Sequence, residues 1–272
     1  MKITYYLPDT QNPFWNQVIS GIQKAARQES VEVVTVSANN DEATQLKQLE
    51  SYKQENLSGM LISPTGMKSL ASACRNILKE GTPIVSIDQN MSDNVSASVI
   101  SANLKGGTMA GKYLADKLDK DKNVVHIQAE QHLENAKLRR TSFVNTAGQL
   151  GLKIVKTIQA ESRQSLASEK MEKFILEKVS FGGIFAENDA MALGAVDVLK
   201  RNHYSPWPEI VGYDGVQEAL DAIKAGQMSA TIAQDPTALG EKALQVMVKV
   251  IKKQSFDNLT VLLPKLATKD QL

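Results

Sequence analysis

Short apolar runs alternate with amphipathic segments along the whole chain, and this alternation is the strongest constraint on its fold. The runs are rich in Val and Ile and are mostly bounded by Gly, Pro, Asn or Asp, which is typical of buried strands. Strands are predicted at residues 2–7, 31–36, 59–62, 83–87, 97–101, 123–128, 153–158, 183–186, 209–213 and 228–233. Regular strand–helix alternation predicts parallel sheets with helices on both faces.

The predicted strands fall into two blocks, which favours two sheets over one. The chain is expected to cross between the two halves after the strand at 97–101 and again after the strand at 228–233. Neither place carries a Pro/Gly/Ser-rich linker, so we expect short hinge strands and not flexible tethers. The sequence therefore predicts an α/β protein with two halves of similar design.

Composition and charge argue against several classes of protein. The chain has 272 residues and a formal net charge of +1, which gives no reason to expect nucleic acid or an anionic membrane as a partner. Its apolar runs are far shorter than the roughly 18 residues that a membrane helix needs, so no membrane insertion is expected. The single cysteine, Cys74, allows no intrachain disulfide and is predicted to pack in a helix.

The chain enters a strand pattern directly at its start, without the apolar region of a signal peptide. Two interpretations stay open on this ground. Either the protein is cytosolic, or an export signal has been trimmed from this sequence.

Two of the predicted strands stop at an aspartate. Asp88 follows Ile84-Val85-Ser86-Ile87, and Asp214 follows Ile210-Val211-Gly212-Tyr213. Ligands of open α/β sheets bind outside the carboxyl ends of the strands, where these side chains would lie. Either aspartate could instead cap a helix or form a turn. Two of them in parallel positions favour a ligand that offers many hydroxyl donors.

Two strand–helix junctions carry further candidates. Asn12-Pro13-Phe14-Trp15 reads as a helix start with Asn as N-cap and Pro at the first position. Only one of the two adjacent aromatic residues can face the core, so the other could stack on an apolar face of a ligand. In Glu187-Asn188-Asp189 one residue must be the N-cap, and the Asn188 amide is the best candidate to meet a ligand hydroxyl.

Catalytic, metal and nucleotide sites are not indicated. Gly106–Lys112 resembles a phosphate-binding loop, but Tyr113 stands where a Ser or Thr should follow, and the segment continues a helical stripe. The histidines have no metal-ligand spacing. His126 is predicted to be structural, whereas His132 could line the ligand crevice. We therefore expect no enzyme activity, no cofactor and no metal.

The combined motifs resemble the ribose-binding-protein branch of the type 1 periplasmic binding proteins from end to end. The segments that carry this resemblance are Asn12–Trp15, Ile87-Asp88, Gly106-Gly107 with Ala110-Gly111, Phe185–Ala195, Val211–Gly215 and Ala230–Gln234. The resemblance implies two Rossmann-like lobes with parallel sheets joined by a three-stranded hinge, whose third crossing lies near 260–263. It implies an N-terminal lobe of 1–103 plus 235–261 and a C-terminal lobe of 104–234 plus 262–272.

The resemblance also implies a set of ligand contacts. They fall on Asn12, Phe14, Trp15, Asp88, Asn188, Asp214 and Gln234. Three positions depart from the family pattern. Gln89 and Lys137 stand where arginines are expected, and both stay in the candidate set, while Ser162 lies near the place of an expected aromatic residue. Because guanidinium forks and one stacking wall are lost, ribose is disfavoured and a polyol or modified sugar is favoured.

The function expected from the resemblance is that of a monomeric solute-binding protein of an ABC-type sugar uptake system. It would bind a monosaccharide or polyol between its lobes by hinge closure and present the closed form to an ABC permease. The expected location is periplasmic or extracellular, with the signal peptide trimmed. Two alternatives stay open: the effector domain of a LacI-type regulator, which would carry a helix-turn-helix upstream, and the extracellular sensor domain of a signalling receptor.

Overall fold

The computed structural model describes residues 1–119 and 121–272, apart from the side chains of residues 54 and 55, and it divides into two compact units. Unit 1 comprises Met1–Ser101 and Asp235–Leu262, and unit 2 comprises Ala102–Gln234 and Leu263–Leu272. The chain therefore passes from one unit to the other after Ser101, Gln234 and Leu262. The boundaries expected from the sequence lie after residues 103, 234 and 261.

The elements are numbered in chain order. The strands are β1 (Lys2–Leu7), β2 (Glu32–Ser37), β3 (Gly59–Ile62), β4 (Ile84–Ile87), β5 (Ala97–Ser101), β6 (Asn123–Gln128), β7 (Lys153–Gln159), β8 (Gly183–Ala186), β9 (Glu209–Asp214), β10 (Ala230–Ala233), β11 (Leu259–Leu262) and β12 (Lys265–Thr268). The helices are α1 (Pro13–Glu29), α2 (Glu42–Glu50), α3 (Lys68–Lys79), α4 (Asn103–Lys117), α5 (Glu134–Gln149), α6 (Gln164–Ile175), α7 (Asp189–Arg201), α8 (Gln217–Lys224) and α9 (Pro236–Ile251).

The predicted strands are confirmed with small shifts at their ends. The largest shift is at β10, which was predicted from residue 228 and begins at Ala230. The strands β11 and β12 were not among the predicted strands, although the third crossing was expected near 260–263; both are short and mostly exposed or half-buried. None of the helices in the described part of the chain is long and apolar enough to span a membrane.

Unit 1 is a parallel sheet with the strand order β11-β5-β4-β3-β1-β2 and helices packed against it. Its core is closed by α1 and α9, which approach each other very closely. A Cβ atom at Gly21 would lie 2.0 Å from the Thr237 carbonyl oxygen, and one at Gly240 would lie 2.1 Å from the Val18 carbonyl oxygen. Only glycine permits this approach, so the apolar stripe of α1 meets that of α9 directly.

Unit 2 repeats the design with the strand order β12-β10-β9-β8-β6-β7, in which only β12 is antiparallel to its described neighbour. In both sheets the strand order reverses beside the first strand of the unit, at β1 in unit 1 and at β6 in unit 2. Such reversal points are the usual ligand sites of open α/β sheets. The predicted α/β class with parallel, Rossmann-like sheets is therefore confirmed.

Candidate ligand-binding residues

The two strand-end aspartates share an unusual backbone conformation. Asp88 has a φ of 72° and Asp214 a φ of 119°, both in a region that side chains rarely adopt. The neighbouring chain holds each turn in place, since the Asp88 amide donates to the Val99 carbonyl and the Gln234 amide donates to the Asp214 carbonyl, both at 2.9 Å. Such conformations cost on the order of 1–3 kcal/mol each and cluster at functional sites. Their occurrence at matching positions of both sheets makes these carboxylates the leading candidates.

The loop after β1 is organised by a buried aspartate that the sequence analysis missed. Asp9 Oδ1 accepts hydrogen bonds from the backbone amides of Gln11 at 2.7 Å and Asn12 at 2.9 Å, while Oδ2 accepts one from Asn40 Nδ2 at 2.8 Å. Asn12 in turn caps α1, because its Oδ1 accepts from the Phe14 amide at 3.0 Å. The predicted N-cap is thus confirmed, and it uses only the oxygen of the Asn12 amide.

Of the two adjacent aromatic residues at the start of α1, only one is buried in the core, as predicted. Phe14 is 4% exposed and packs in the core of unit 1, whereas Trp15 is only partly buried. Their rings meet edge to face, with centroids 4.9 Å apart and planes at 88°. Of the two, Trp15 is the better candidate to stack on a ligand, and Phe14 fixes its orientation.

Gln89 lies in the same unit, directly after Asp88, and is 3% exposed. Its carbonyl accepts a hydrogen bond from Ser86 Oγ at 2.8 Å, and the Ser86 and Ser98 hydroxyls lie 2.7 Å apart. These contacts fix the backbone that follows the strained turn. Gln89 is therefore held beside Asp88, as a candidate site residue should be.

In unit 2 the structure surrounds Asp214 with polar partners. Gln234 Nε2 donates to Asp214 Oδ1 at 2.8 Å, and Arg139 Nη1 lies 3.7 Å from the same oxygen. Gln234 Oε1 is buried and has no hydrogen-bond partner among the described residues. An unmet buried acceptor is costly, so it calls for a donor from outside the chain. Unit 2 thus presents a carboxylate and an amide oxygen that hydroxyl groups could meet.

Arg139 was not among the predicted site residues, although it is the cation beside Asp214. Its Nε donates to Asn103 Oδ1 at 2.7 Å, and its guanidinium lies 3.8 Å from the centre of the Tyr213 ring. Lys137, which was predicted as a ligand contact, has a side chain that is 64% exposed, and its Nζ lies 3.8 Å from Glu134 Oε2 on the same helix. Of these two residues of α5, Arg139 is therefore the one that lies beside Asp214.

Asn188 is the N-cap of α7, as one residue of this segment was predicted to be. Its Oδ1 accepts from the Met191 amide at 2.9 Å, and its Nδ2 donates to the Ser162 carbonyl at 3.2 Å. Among the described residues, the Ser162 carbonyl is the one acceptor for Asn188 Nδ2. Ser162 has a φ of 56° and donates from its hydroxyl to Glu130 Oε2 at 2.5 Å. A polar pair therefore stands where the resemblance implied an aromatic ring.

Asp189 is a fully buried carboxylate that holds the turn after Asp214. Its Oδ2 accepts from the amides of Gly215 at 2.7 Å and Val216 at 3.0 Å, and its Oδ1 accepts from Thr231 Oγ1 at 2.7 Å. Burial, together with the charge of Asp214, raises the pKa of Asp189 well above its usual value. The sequence showed Asp189 only as one of three candidates for the N-cap, so this long-range role was not predicted.

The remaining polar motifs are structural or peripheral. His126 is fully buried between the rings of Phe143 and Phe185, at centroid distances of 4.8 and 5.5 Å, which confirms its predicted structural role. His132 is exposed. The segment Gly106–Lys112 lies within α4, which confirms that it is helical. The described residues bring no three His, Cys, Asp or Glu side chains together in a way that could hold a metal ion.

Similar proteins agree with this architecture. Residues 3–255 match the family model described as a periplasmic binding protein domain. The ribose import binding protein RbsB of Bacillus subtilis is 32% identical over 235 residues, which is 86% of this chain and 76% of the relative. The D-allose-binding periplasmic protein of Escherichia coli is 26% identical over 260 residues, covering 90% of this chain and 83% of the relative.

Among solved structures, a solute-binding protein from Mycobacterium smegmatis with bound glycerol has a TM-score of 0.92 at 26% identity, covering 99% of this chain and 94% of that one. The Caulobacter myo-inositol-binding protein with bound myo-inositol has a TM-score of 0.93 at 24% identity, with the same shares of coverage, and shows the same fold. With the family model matched over residues 3–255, these likenesses confirm the resemblance seen in the sequence: the chain belongs to the periplasmic binding proteins, in their ribose-binding-protein-like branch.

Proposed function

We propose that this protein is the solute-binding component of an ABC-type sugar uptake system and that it binds a monosaccharide or polyol. The observation that carries the proposal is the arrangement around Asp214. Asp214 has a buried carboxylate on a backbone with positive φ, and the Arg139 guanidinium lies 3.7 Å from it. The Gln234 amide oxygen nearby has no hydrogen-bond partner among the described residues. Together these groups complement neighbouring hydroxyl groups of a ligand. Each hydroxyl can donate to one of these groups and accept from another.

The energetics favour a neutral polyhydroxylated ligand. A hydrogen bond between a hydroxyl and a charged group contributes roughly 1.5–3 kcal/mol, about twice a neutral one. In unit 2 we assign acceptance to Asp214 and Gln234, and donation to Arg139 and Asn188. Because Asp214 already neighbours Arg139, an anionic or cationic ligand would disturb a balanced pair.

In unit 1 we assign acceptance of ligand hydroxyls to Asp88. Trp15 would stack on a C–H face of the ligand, supported edge to face by Phe14. Asn12 and Gln89 would donate or bridge through their amide groups. The expectation that one ligand engages both half-sites through hinge closure stays a prediction, and small-angle scattering with and without ligand tests it through a fall in the radius of gyration.

The identity of the ligand is a further part of the proposal. The similar proteins are named for ribose, allose and xylitol, and structures of others hold myo-inositol or glycerol. In this chain Gln89 replaces an expected guanidinium, and the Ser162–Glu130 pair replaces an expected ring. We therefore favour a polyol or modified sugar over ribose itself.

The proposal extends to partners, location and activity. The relatives named as import binding proteins support an ABC permease as the partner of this protein. A periplasmic or extracellular location is supported by its family and by a relative named as a periplasmic protein. Since the relatives are named as binding proteins, we propose that this chain has no catalytic activity.

A thermal-shift screen tests the proposal. The protein is unfolded and refolded to remove bound ligand, then heated with D-ribose, D-allose, xylitol, myo-inositol, D-galactose or L-arabinose at millimolar concentration. A ligand at a thousand times its dissociation constant adds about 4 kcal/mol of stability, a rise of several degrees for a chain of this size. Silence across the panel, repeated by calorimetric titration, would refute binding of a simple sugar or polyol.

A further inference from the structure

A buried ionic cluster in unit 2 adjoins Arg139 and Asn188, the two residues assigned to donate to the ligand. Its centre is Glu187, whose side chain is fully buried. Glu187 Oε1 accepts from Arg140 Nε at 3.0 Å and lies 2.9 Å from His126 Nε2. Glu187 Oε2 accepts from Arg140 Nη2 and from the Ala129 amide, both at 2.9 Å. The carboxylate thus ties the ends of β6 and β8 to α5.

Stability alone is a poor reason for such a cluster. Burying charged groups costs several kcal/mol per ion, and replacing a buried ion pair by apolar residues is often neutral or stabilising. The aromatic packing of His126 with Phe143 and Phe185 already fills this region of the core. What an ionic cluster adds over apolar packing is a fixed direction for each of its members.

Glu187 fixes the orientation of the Arg139 guanidinium. The carbonyl oxygen of Glu187 accepts from Arg139 Nη1 at 2.9 Å, while its carboxylate holds Arg140, the next residue along the chain. One residue therefore anchors two successive arginines of α5, one through its backbone and one through its side chain. Glu187 also immediately precedes Asn188, the other donor assigned to the ligand.

We propose that Glu187 is a positioning residue for ligand binding: its carboxylate, held by Arg140 and the Ala129 amide, fixes the carbonyl that aims Arg139 beside Asp214. The expected effect of Glu187 on ligand affinity rests on the proposed function. Its expected effect on the position of Arg139 does not, because the contact between Glu187 and Arg139 is present in the ligand-free protein. The two consequences are therefore measured separately.

The first measurement needs no ligand. The Nε–H of Arg139 is buried and hydrogen-bonded, so it should give a slowly exchanging signal in a ¹H–¹⁵N spectrum, assigned by its loss in Arg139→Lys. Glu187→Gln should accelerate its exchange. Arg140→Lys, which keeps the charge but loses the guanidinium fork, should do the same if Glu187→Gln does not fold. The control Phe174→Leu, a core substitution in α6, should leave the signal unchanged. An unchanged signal in both Glu187→Gln and Arg140→Lys would overturn the proposal.

The second measurement is the dissociation constant for whichever sugar of the panel gives the largest shift with the wild-type protein. Glu187→Gln should weaken binding about tenfold, and should weaken it no further in an Arg139→Lys background, because both changes act through the same contact. Phe174→Leu should lower the melting temperature at unchanged affinity. Full additivity of Glu187→Gln and Arg139→Lys would overturn the proposal. If the wild-type protein binds no sugar, the proposed function fails, and the Arg139 signal alone decides on Glu187.

Discussion

Replacing Asp214 by alanine separates ligand binding from folding. The substitution removes the carboxylate that accepts from Gln234 Nε2 at 2.8 Å and lies 3.7 Å from Arg139. A ligand hydroxyl would lose one charge-assisted bond, a loss of about 2–3 kcal/mol, or close to a hundredfold in the dissociation constant.

The ligand-free stability should respond differently. Burial and, after it, the charge of Asp214 raise the pKa of Asp189; the second cause means that the two carboxylates repel each other when both are ionised. Removing the Asp214 carboxylate relieves this repulsion, which offsets part of the stability lost with its hydrogen bond. The free energy of unfolding should therefore fall by much less than the strength of ligand binding. Alanine is strained at a φ of 119°, so Asp214→Asn is the matched variant, because asparagine tolerates positive φ better and keeps the size of the side chain.

Isothermal titration of both variants with the best sugar of the panel, beside their thermal unfolding, gives the required numbers. We expect a large loss of affinity in both variants and the smaller change in stability in Asp214→Asn. Affinity within threefold of wild type in both variants would refute the assignment of Asp214 to the site. If the free energy of unfolding fell by as much as the free energy of binding, the claim that Asp214 serves binding more than folding would be refuted.

Three further outcomes are expected. Trp15→Ala should weaken binding by about 1–2 kcal/mol through lost stacking area, measured by titration, whereas equal affinity would remove Trp15 from the site. Because the pKa of Asp189 is raised in the folded protein, its contribution to stability declines as the pH rises above 3.8, the usual pKa of an aspartate. Asp189→Asn should flatten this decline of the unfolding free energy, measured by urea unfolding at several pH values. An equally steep decline in the variant and the wild type would contradict the role of the Asp189 charge. Gly240→Ala should lower the melting temperature by several degrees, because its Cβ would lie 2.1 Å from the Val18 carbonyl, while Gly148→Ala, with nothing within 4 Å of its Cβ, should raise it slightly; similar shifts in both would refute the close contact of α1 and α9.

The fold followed from local sequence patterns because the central strands of both sheets are buried, apolar and bounded by turn residues. The same patterns gave the end of β4 and β9, and with them the positions of Asp88 and Asp214. The strands β11 and β12 were not predicted because each is a four-residue edge strand with one neighbour, which leaves only a weak apolar pattern in the sequence.

The surroundings of Asp214 were less accessible to sequence analysis. Arg139 and Phe143 are both buried on one face of α5, as their spacing of four allows, while Lys137 lies off that face. Helical periodicity could therefore have chosen Arg139 over Lys137. The roles of Glu187 and Asp189 were not available in this way, because each depends on partners that are distant in the chain.

The contact between α1 and α9 has a consequence for the synthesis of the protein. The apolar stripe of α1 is covered by α9, whose residues leave the ribosome more than two hundred positions after those of α1. Unit 1 therefore cannot complete its core during most of translation, although its strands β1 to β5 are made first. Contacts so distant in sequence form slowly, since the whole intervening loop must first be closed. A nascent chain that stays open until α9 emerges exposes apolar surface for most of its synthesis and is suited to capture by chaperones before it folds.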